Sequence, residues 1–232
     1  MSVRRLVFKA LALMVALGLG AGTASAQPYF NIDFNAAFGT PTSAYGAAAG
    51  QPGVWQTLTG AAGPTTLNDI SGAATAVTLT LSPAVGQFQF NNAGTLGDDQ
   101  ALMDDFLDIG GVGSSVTMTF ANMTPGSYLV YSYAWAADSA TFITSVNASG
   151  GPQLVGGAWP GSQQLGVTYA LHSVDVLVDG LLTVSFTTDA GFGSVNGIQI
   201  APVPEPTSMA LCGVAIGLAA WKRRRSAKKV NN

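Results

Sequence analysis

Five aspartates within eleven residues, Asp98, Asp99, Asp104, Asp105 and Asp108, form the densest group of potential metal ligands in this 232-residue chain. Carboxylates this close repel one another unless water solvates them or a cation bridges them. Calcium is the cation that hard oxygen donors favour, and Asp98, Asp99, Asp104 and Asp105 are its candidate ligands, although their spacing is not that of an EF-hand loop. The plainer reading is a solvated helix face, with Asp98 or Asp99 capping a helix N-terminus where negative charge is favourable. On sequence alone both readings stay open. A second candidate is aromatic. Gly156-Gly157-Ala158-Trp159-Pro160-Gly161 reads as a loop that presents the Trp159 indole either as a flat face for sugar stacking or as an ordinary core aromatic.

Little else in the inventory suits catalysis. The first glutamate is Glu205, and all nine Lys and Arg residues lie near the two ends, at Arg4, Arg5 and Lys9 and from Lys222 onward. Over 27–201 stand eleven aspartates and a single histidine, a formal charge of −11 with His172 neutral. A Ser-His-Asp arrangement would need His172, which sits in an alternating segment and reads as a plain strand histidine. Aspartate pairs for glycoside hydrolysis are plentiful, but none is marked above another. The middle of the chain is therefore expected to be non-catalytic, with no cofactor beyond a structural calcium. Such a polyanion cannot release counterions from nucleic acid, so nucleic-acid partners are excluded, and it holds no Arg or Lys clamp for phosphate.

A cation site or an aromatic platform needs a scaffold, and the periodicity here is that of strands. Val116, Met118 and Phe120 alternate with Ser115, Thr117 and Thr119; Leu129, Tyr131, Tyr133 and Trp135 alternate with smaller neighbours; Leu182, Val184 and Phe186 alternate with Thr183, Ser185 and Thr187. Each reads as a half-buried antiparallel strand. Further strands are expected over 29–34, 77–81, 87–90, 141–146, 168–177 and 195–200. Pro125-Gly126 suits a type II turn, and Asp179-Gly180 suits a tight hairpin. About nine short strands predict an all-β antiparallel sandwich over 27–201. One piece, 97–109, has helical spacing, with Leu102 and Phe106 on one face beside Met103 and Leu107, so a short helix is expected near 98–108.

Phe120 to Tyr128 leading into a long strand, then Asp179 to Phe186, then the closing strand Asn196-Gly197-Ile198-Gln199-Ile200, together resemble the galactose-binding-like jelly roll shared by malectin-like and carbohydrate-binding-module domains. The resemblance covers about half of the domain and rests on a turn and two strands, so it implies a fold and carries over no binding residue.

The ends read as addresses. Arg4, Arg5 and Lys9 precede an apolar run from Ala10 to Ala21 that closes on Ala24-Ser25-Ala26, so 1–26 is expected to be a signal peptide removed by signal peptidase before Gln27. At the other end, Pro204, Glu205 and Pro206 (segment 202–207) lead into an uncharged stretch, 208–221, and then a basic tail, 222–232, opening with Lys222, Arg223, Arg224 and Arg225. The prolines cannot continue a sheet or a helix. The apolar stretch, short for a span, is expected to be a transmembrane helix whose basic flank stays cytoplasmic. Cys212, the single cysteine, lies in it, so no intrachain disulfide is possible. This order closely resembles the PEP-CTERM sorting signal of exported bacterial proteins. The resemblance implies processing by an exosortase-like membrane enzyme that recognises Pro204, Glu205 and Pro206, transient anchoring in the inner membrane, and final placement at the cell surface or outside it. The expected function is a non-catalytic structural or adhesive sandwich of an extracellular polysaccharide layer. The alternatives are a lectin-like carbohydrate-binding module and, third, a glycoside-acting enzyme.

Overall fold

Alternation of apolar and polar residues builds nearly everything in the computed structural model of the chain, which describes residues 27–204. The signal segment 1–26, Glu205 and Pro206 of the sorting motif, the apolar stretch 208–221 and Lys222 to Arg225 lie outside the described residues. Among the described residues no helix is long and apolar enough to cross a membrane.

The described chain holds fourteen strands: β1 (Phe30–Phe34), β2 (Gln56–Leu58), β3 (Thr65–Asn68), β4 (Ala74–Ser82), β5 (Gly86–Gln89), β6 (Asp105–Gly111), β7 (Ser115–Ala121), β8 (Gly126–Tyr133), β9 (Ile143–Asn147), β10 (Gln153–Gly156), β11 (Tyr169–Val176), β12 (Leu182–Ala190), β13 (Phe192–Val195) and β14 (Gly197–Pro202). A helix of six residues, α1 (Asp98–Met103), precedes β6. One sheet has the order β11-β8-β14-β1-β2, a second β10-β9-β12-β7-β4-β3, and a three-stranded strip β13-β6-β5 lies beside them. These pairings are antiparallel apart from the parallel β1–β2 contact. The protein is thus an all-β, mainly antiparallel sandwich.

The inner faces of the two large sheets share one core. Leu79, Phe120 and Leu182 stand in register across β4, β7 and β12, and Phe30, Ile32, Val130 and Ile200 face them from the other sheet, all essentially inaccessible to water. Burial of aromatic and aliphatic side chains on this scale is the main force holding the sheets together.

Four expectations need correction. The helix expected near 98–108 ends at Met103; Asp104 (φ −91°, ψ −6°) turns the chain, and β6 begins at Asp105. Pairing with β5 on one edge and β13 on the other outweighs a helical spacing that, over so few residues, has little stability of its own. The helix N-terminus is formed by Gly97 at φ 61° without a side-chain cap, so neither Asp98 nor Asp99 caps it. The Asp179-Gly180 turn joins β11 of one sheet to β12 of the other, a corner between sheets rather than a hairpin. In β8 both faces are covered: Tyr128 and Val130 enter the main core, while Tyr133, and Trp135 just beyond the strand, enter a second cluster on the outer side of the sheet.

Candidate functional site

The aspartates singled out by their density do not stay together. Asp98 accepts the Thr42 backbone N–H at 2.7 Å and the Thr42 hydroxyl at 2.9 Å. Asp99 accepts the Tyr45 hydroxyl and, at 3.1 Å, the Gln163 side-chain amide. Asp104 is buried and accepts the Asn92 N–H at 2.9 Å and the Thr95 hydroxyl at 2.7 Å, while Asp105, also buried, accepts the Phe38 N–H at 2.9 Å. Asp98, Asp99 and Asp105 therefore pin successive points of the β1–β2 loop, and Asp104 pins the segment before α1, each carboxylate accepting from loop donors. Among the described residues no group of three or more His, Cys, Asp or Glu side chains is placed to hold a metal ion.

Burial has a second consequence. It holds the Asp33 carboxyl on β1 well above the usual carboxylate range, with the Asp105 carboxylate adding to the rise, and it pushes Asp105 up to about 6. The Oδ1 atoms of both residues are buried without a hydrogen-bond partner, which favours the neutral acid at each.

What the fold does assemble is an aromatic cleft. Alternation along β6 sends Leu107 and Ile109 into the main core, so Phe106 and Asp108 face the other way. Phe88 of β5 stands opposite Phe106 in the strand register, their rings 5.5 Å apart and tilted by 46°. Phe142, before β9, and Phe192, which opens β13, form a second tilted pair at 5.7 Å and 53°. Gly191, at φ +66°, makes this approach possible, since a Cβ there would lie 2.0 Å from the Phe142 ring. The two pairs, with Asp108, Ala136 and Asp138, enclose about 240 Å³. Phe88 is 43% and Phe192 53% exposed, although both are large apolar side chains. Exposed aromatics gathered in a concavity mark binding sites rather than packing.

A second lobe of about 250 Å³ shares Ala136 and Asp138 with the first and is lined by Phe90, Asn92, Trp135 and Trp159. Trp159 is half-buried here, 5.2 Å from the Trp135 ring, which is 1% exposed and donates its indole N–H to the Gly157 carbonyl at 2.8 Å. The floor is fixed by Asn196, whose side chain accepts the Trp135 N–H at 2.7 Å and donates to the Met103 carbonyl at 2.8 Å. Asn92 donates to the Ala137 carbonyl at 2.7 Å, so Asp104 positions the wall of the cleft by way of Asn92.

The structure thus places Trp159 at the cleft and Asp104 behind it, and Pro204 at the exposed end of the described chain, away from both. His172, buried on β11, contacts the Gly151 carbonyl at 3.2 Å and takes no part. Sequence reasoning missed Phe88, Phe106, Phe142, Phe192 and the role of Asp138. One signal was available: Gln87-Phe88-Gln89-Phe90 places two phenylalanines on one face of a strand otherwise made of glutamine.

No described protein family matches this sequence, and no curated protein matches it. Among solved structures, the plant receptor-like kinase ANX2 is similar at 13% identity with a TM-score of 0.47, covering 76% of this chain and 48% of that one. A β-glucuronidase of Bacteroides uniformis is similar at 9% identity and TM-score 0.41, covering 65% of this chain and 20% of the other. An exo-β-1,3-galactanase of Phanerochaete chrysosporium is similar at 17% identity and TM-score 0.32, covering 58% and 32%. The chain spans about half of the first of these and a third or less of the other two, and likenesses this distant say nothing of ligand or activity.

Proposed function

We propose that this chain is an exported surface protein whose jelly-roll-type sandwich is a non-catalytic saccharide-binding module, delivered by its PEP-CTERM-like tail. The observation that carries the reading is the cleft itself. Sugar rings offer an apolar C–H face that stacks on aromatic rings and a rim of hydroxyls that donate to carboxylates; Phe88, Phe192 and Trp159 supply the first partner, Asp108 and Asp138 the second.

The placement of the ends supports the delivery half of the proposal. The Gln27 side chain bonds the Pro125 carbonyl at 3.1 Å and the Val203 N–H bonds the Ser127 carbonyl at 2.8 Å, so both ends of the described chain sit at the start of β8. The cleft lies past the other end of that strand, about 26 Å away at 3.3 Å per residue. A membrane anchor following Pro204 would then hold the cleft facing outward. Replacing Pro204, Glu205 and Pro206 by alanine is expected to leave export intact and trap the protein in the membrane with its tail attached; equal maturation of this variant and the wild type would reduce the motif to a linker.

Glycan-array screening of the detergent-solubilised full chain, with release of reducing ends followed for every glycan bound, tests the binding half. Saturable, stereospecific binding without cleavage is expected. No saturable binding would leave a purely structural matrix role, and turnover would make Asp108 and Asp138 a hydrolytic pair.

A further inference from the structure

Among the described residues, every charged group that lines the cleft has the same sign. Asp108 projects from β6 and Asp138 is exposed on the loop after β8, while no Lys or Arg occurs anywhere from residue 27 to 204. The one histidine is buried on β11. A uronate, sulfated or phosphorylated sugar entering here would meet two carboxylates and find no cationic partner, and the surrounding −11 charge would repel it from a distance. The other walls are four phenylalanine rings in two tilted pairs. The negative faces of such rings attract a cation.

We infer that the cleft selects saccharides bearing a protonated primary amine, the amino-sugar residues of a de-N-acetylated polysaccharide. The inference rests on the saccharide-binding reading and specifies its ligand class. An ammonium group carries three donors and no acceptor. Asp108 Oδ1 already takes the Gly110 N–H at 2.8 Å, which fixes that carboxylate and leaves Oδ2 to receive an amine proton, with Asp138 receiving another. The sugar ring then lies against Phe88 or Phe192, the two exposed rings of the lining. Acetylation removes the charge and two of the three donors, so it abolishes the advantage while leaving the ring able to stack. The negative charge of the whole domain adds long-range steering toward a polycation.

The test compares three β-1,4-linked hexasaccharides, of glucosamine, N-acetylglucosamine and glucose, titrated into the detergent-solubilised full chain at pH 6 in low salt, with a glucuronate oligomer as a fourth probe. The glucosamine oligomer is expected to bind at least about tenfold more tightly than the acetylated and neutral ones, which a single cation–π contact with one ion pair can supply, and the glucuronate oligomer not at all. Asp138→Asn should remove most of that preference. Asp179→Asn, which deletes the same charge at the exposed β11–β12 corner, should keep it and so controls for general electrostatics. Equal affinity for the glucosamine and acetylated oligomers overturns the amine selectivity and leaves saccharide binding standing. Loss of preference in both Asp variants alike overturns the local site in favour of diffuse attraction. Absence of binding to all four overturns the amine selectivity, and the glycan array decides the saccharide reading separately.

Discussion

The protein has two apolar cores of opposite construction. The main one lies between the large sheets and is made of strand residues at alternating positions, such as Val116, Met118, Phe120, Leu182, Val184 and Phe186. The second, with Trp55, Leu102, Met103, Phe106, Tyr133 and Trp135, lies on the outer side of the β8 sheet and is roofed by Tyr45, Ala47, Ala48 and Trp159 from loops. The main core is apolar throughout. The second is threaded with polar groups: the Tyr133 hydroxyl donates to Gln199 Oε1 and accepts the Ala48 N–H at 2.8 Å, and the side-chain amides of Gln51 and Gln199 both donate to Asn31 Oδ1 at 2.9 Å. Loops cannot pair their backbone in a ladder, so they need such partners when buried. The contrast teaches a division of labour. Stability belongs to the strand-built core, and the cleft grows from the edge of the loop-built one, where Phe106, Trp135 and Trp159 belong to both.

The largest effect expected is in the main core. Phe120→Ala, at a fully buried position between Leu79 and Leu182, should cost about 3–5 kcal/mol and lower the unfolding midpoint of the whole domain by every probe. Asn196→Ala should come next, at about 1–3 kcal/mol, because it strands the Trp135 N–H and the Met103 carbonyl without partners. Its signature is a change in near-ultraviolet tryptophan dichroism larger than the change in far-ultraviolet signal, since the second core loosens before the sheets do. If Asn196→Ala instead unfolds the sandwich as Phe120→Ala does, the two cores are one cooperative unit.

A smaller effect concerns pH. Asp105 and Asp33 titrate higher in the folded protein than in the unfolded chain, so the folded state binds more protons, and their contribution is complete below pH 4 and is lost as pH rises through about 6 for Asp105 and further for Asp33. These two acids should therefore make the protein less stable at pH 7 than at pH 4.5, by a few kcal/mol at most, with a correspondingly lower unfolding temperature, and Asp33→Asn should flatten the slope. The buried His172, held below its usual value by desolvation, works in the opposite direction over this range, so the decisive result is the variant: an Asp33→Asn slope equal to that of the wild type would show that Asp33 is not buried as a neutral group.

The main core was legible from the sequence because period-two alternation in β7 and β12 reports which side chains face inward, and those residues are the ones found there. The second core was not, since Trp55, Ala47 and Ala48 come from loops without a period, and Tyr133 and Trp135 share an alternation with Leu129 that does not reveal which face of β8 meets which core. The cleft was half legible. Trp159 stood out by its glycine-rich setting, but Phe106 was read as a helix residue because Leu102 and Phe106 are four apart, a spacing the turn at Asp104 makes irrelevant. The aspartates were conspicuous by density alone, and density does not say that their oxygens are taken up by donors of the β1–β2 loop and of the segment before α1.

The central claim is that the cleft serves a saccharide and the sandwich core serves only the fold, and Phe192→Ala tests it most directly. Phe192 is 53% exposed, so its removal should shift stability by no more than about 0.5 kcal/mol. Measured side by side on the full chain, the unfolding midpoint should stay unchanged while saccharide affinity falls at least about tenfold, as expected for loss of an aromatic platform worth roughly 1.4 kcal/mol. Unchanged affinity, or a loss of affinity that appears only with a fall in the midpoint comparable to that of Phe120→Ala, would contradict it.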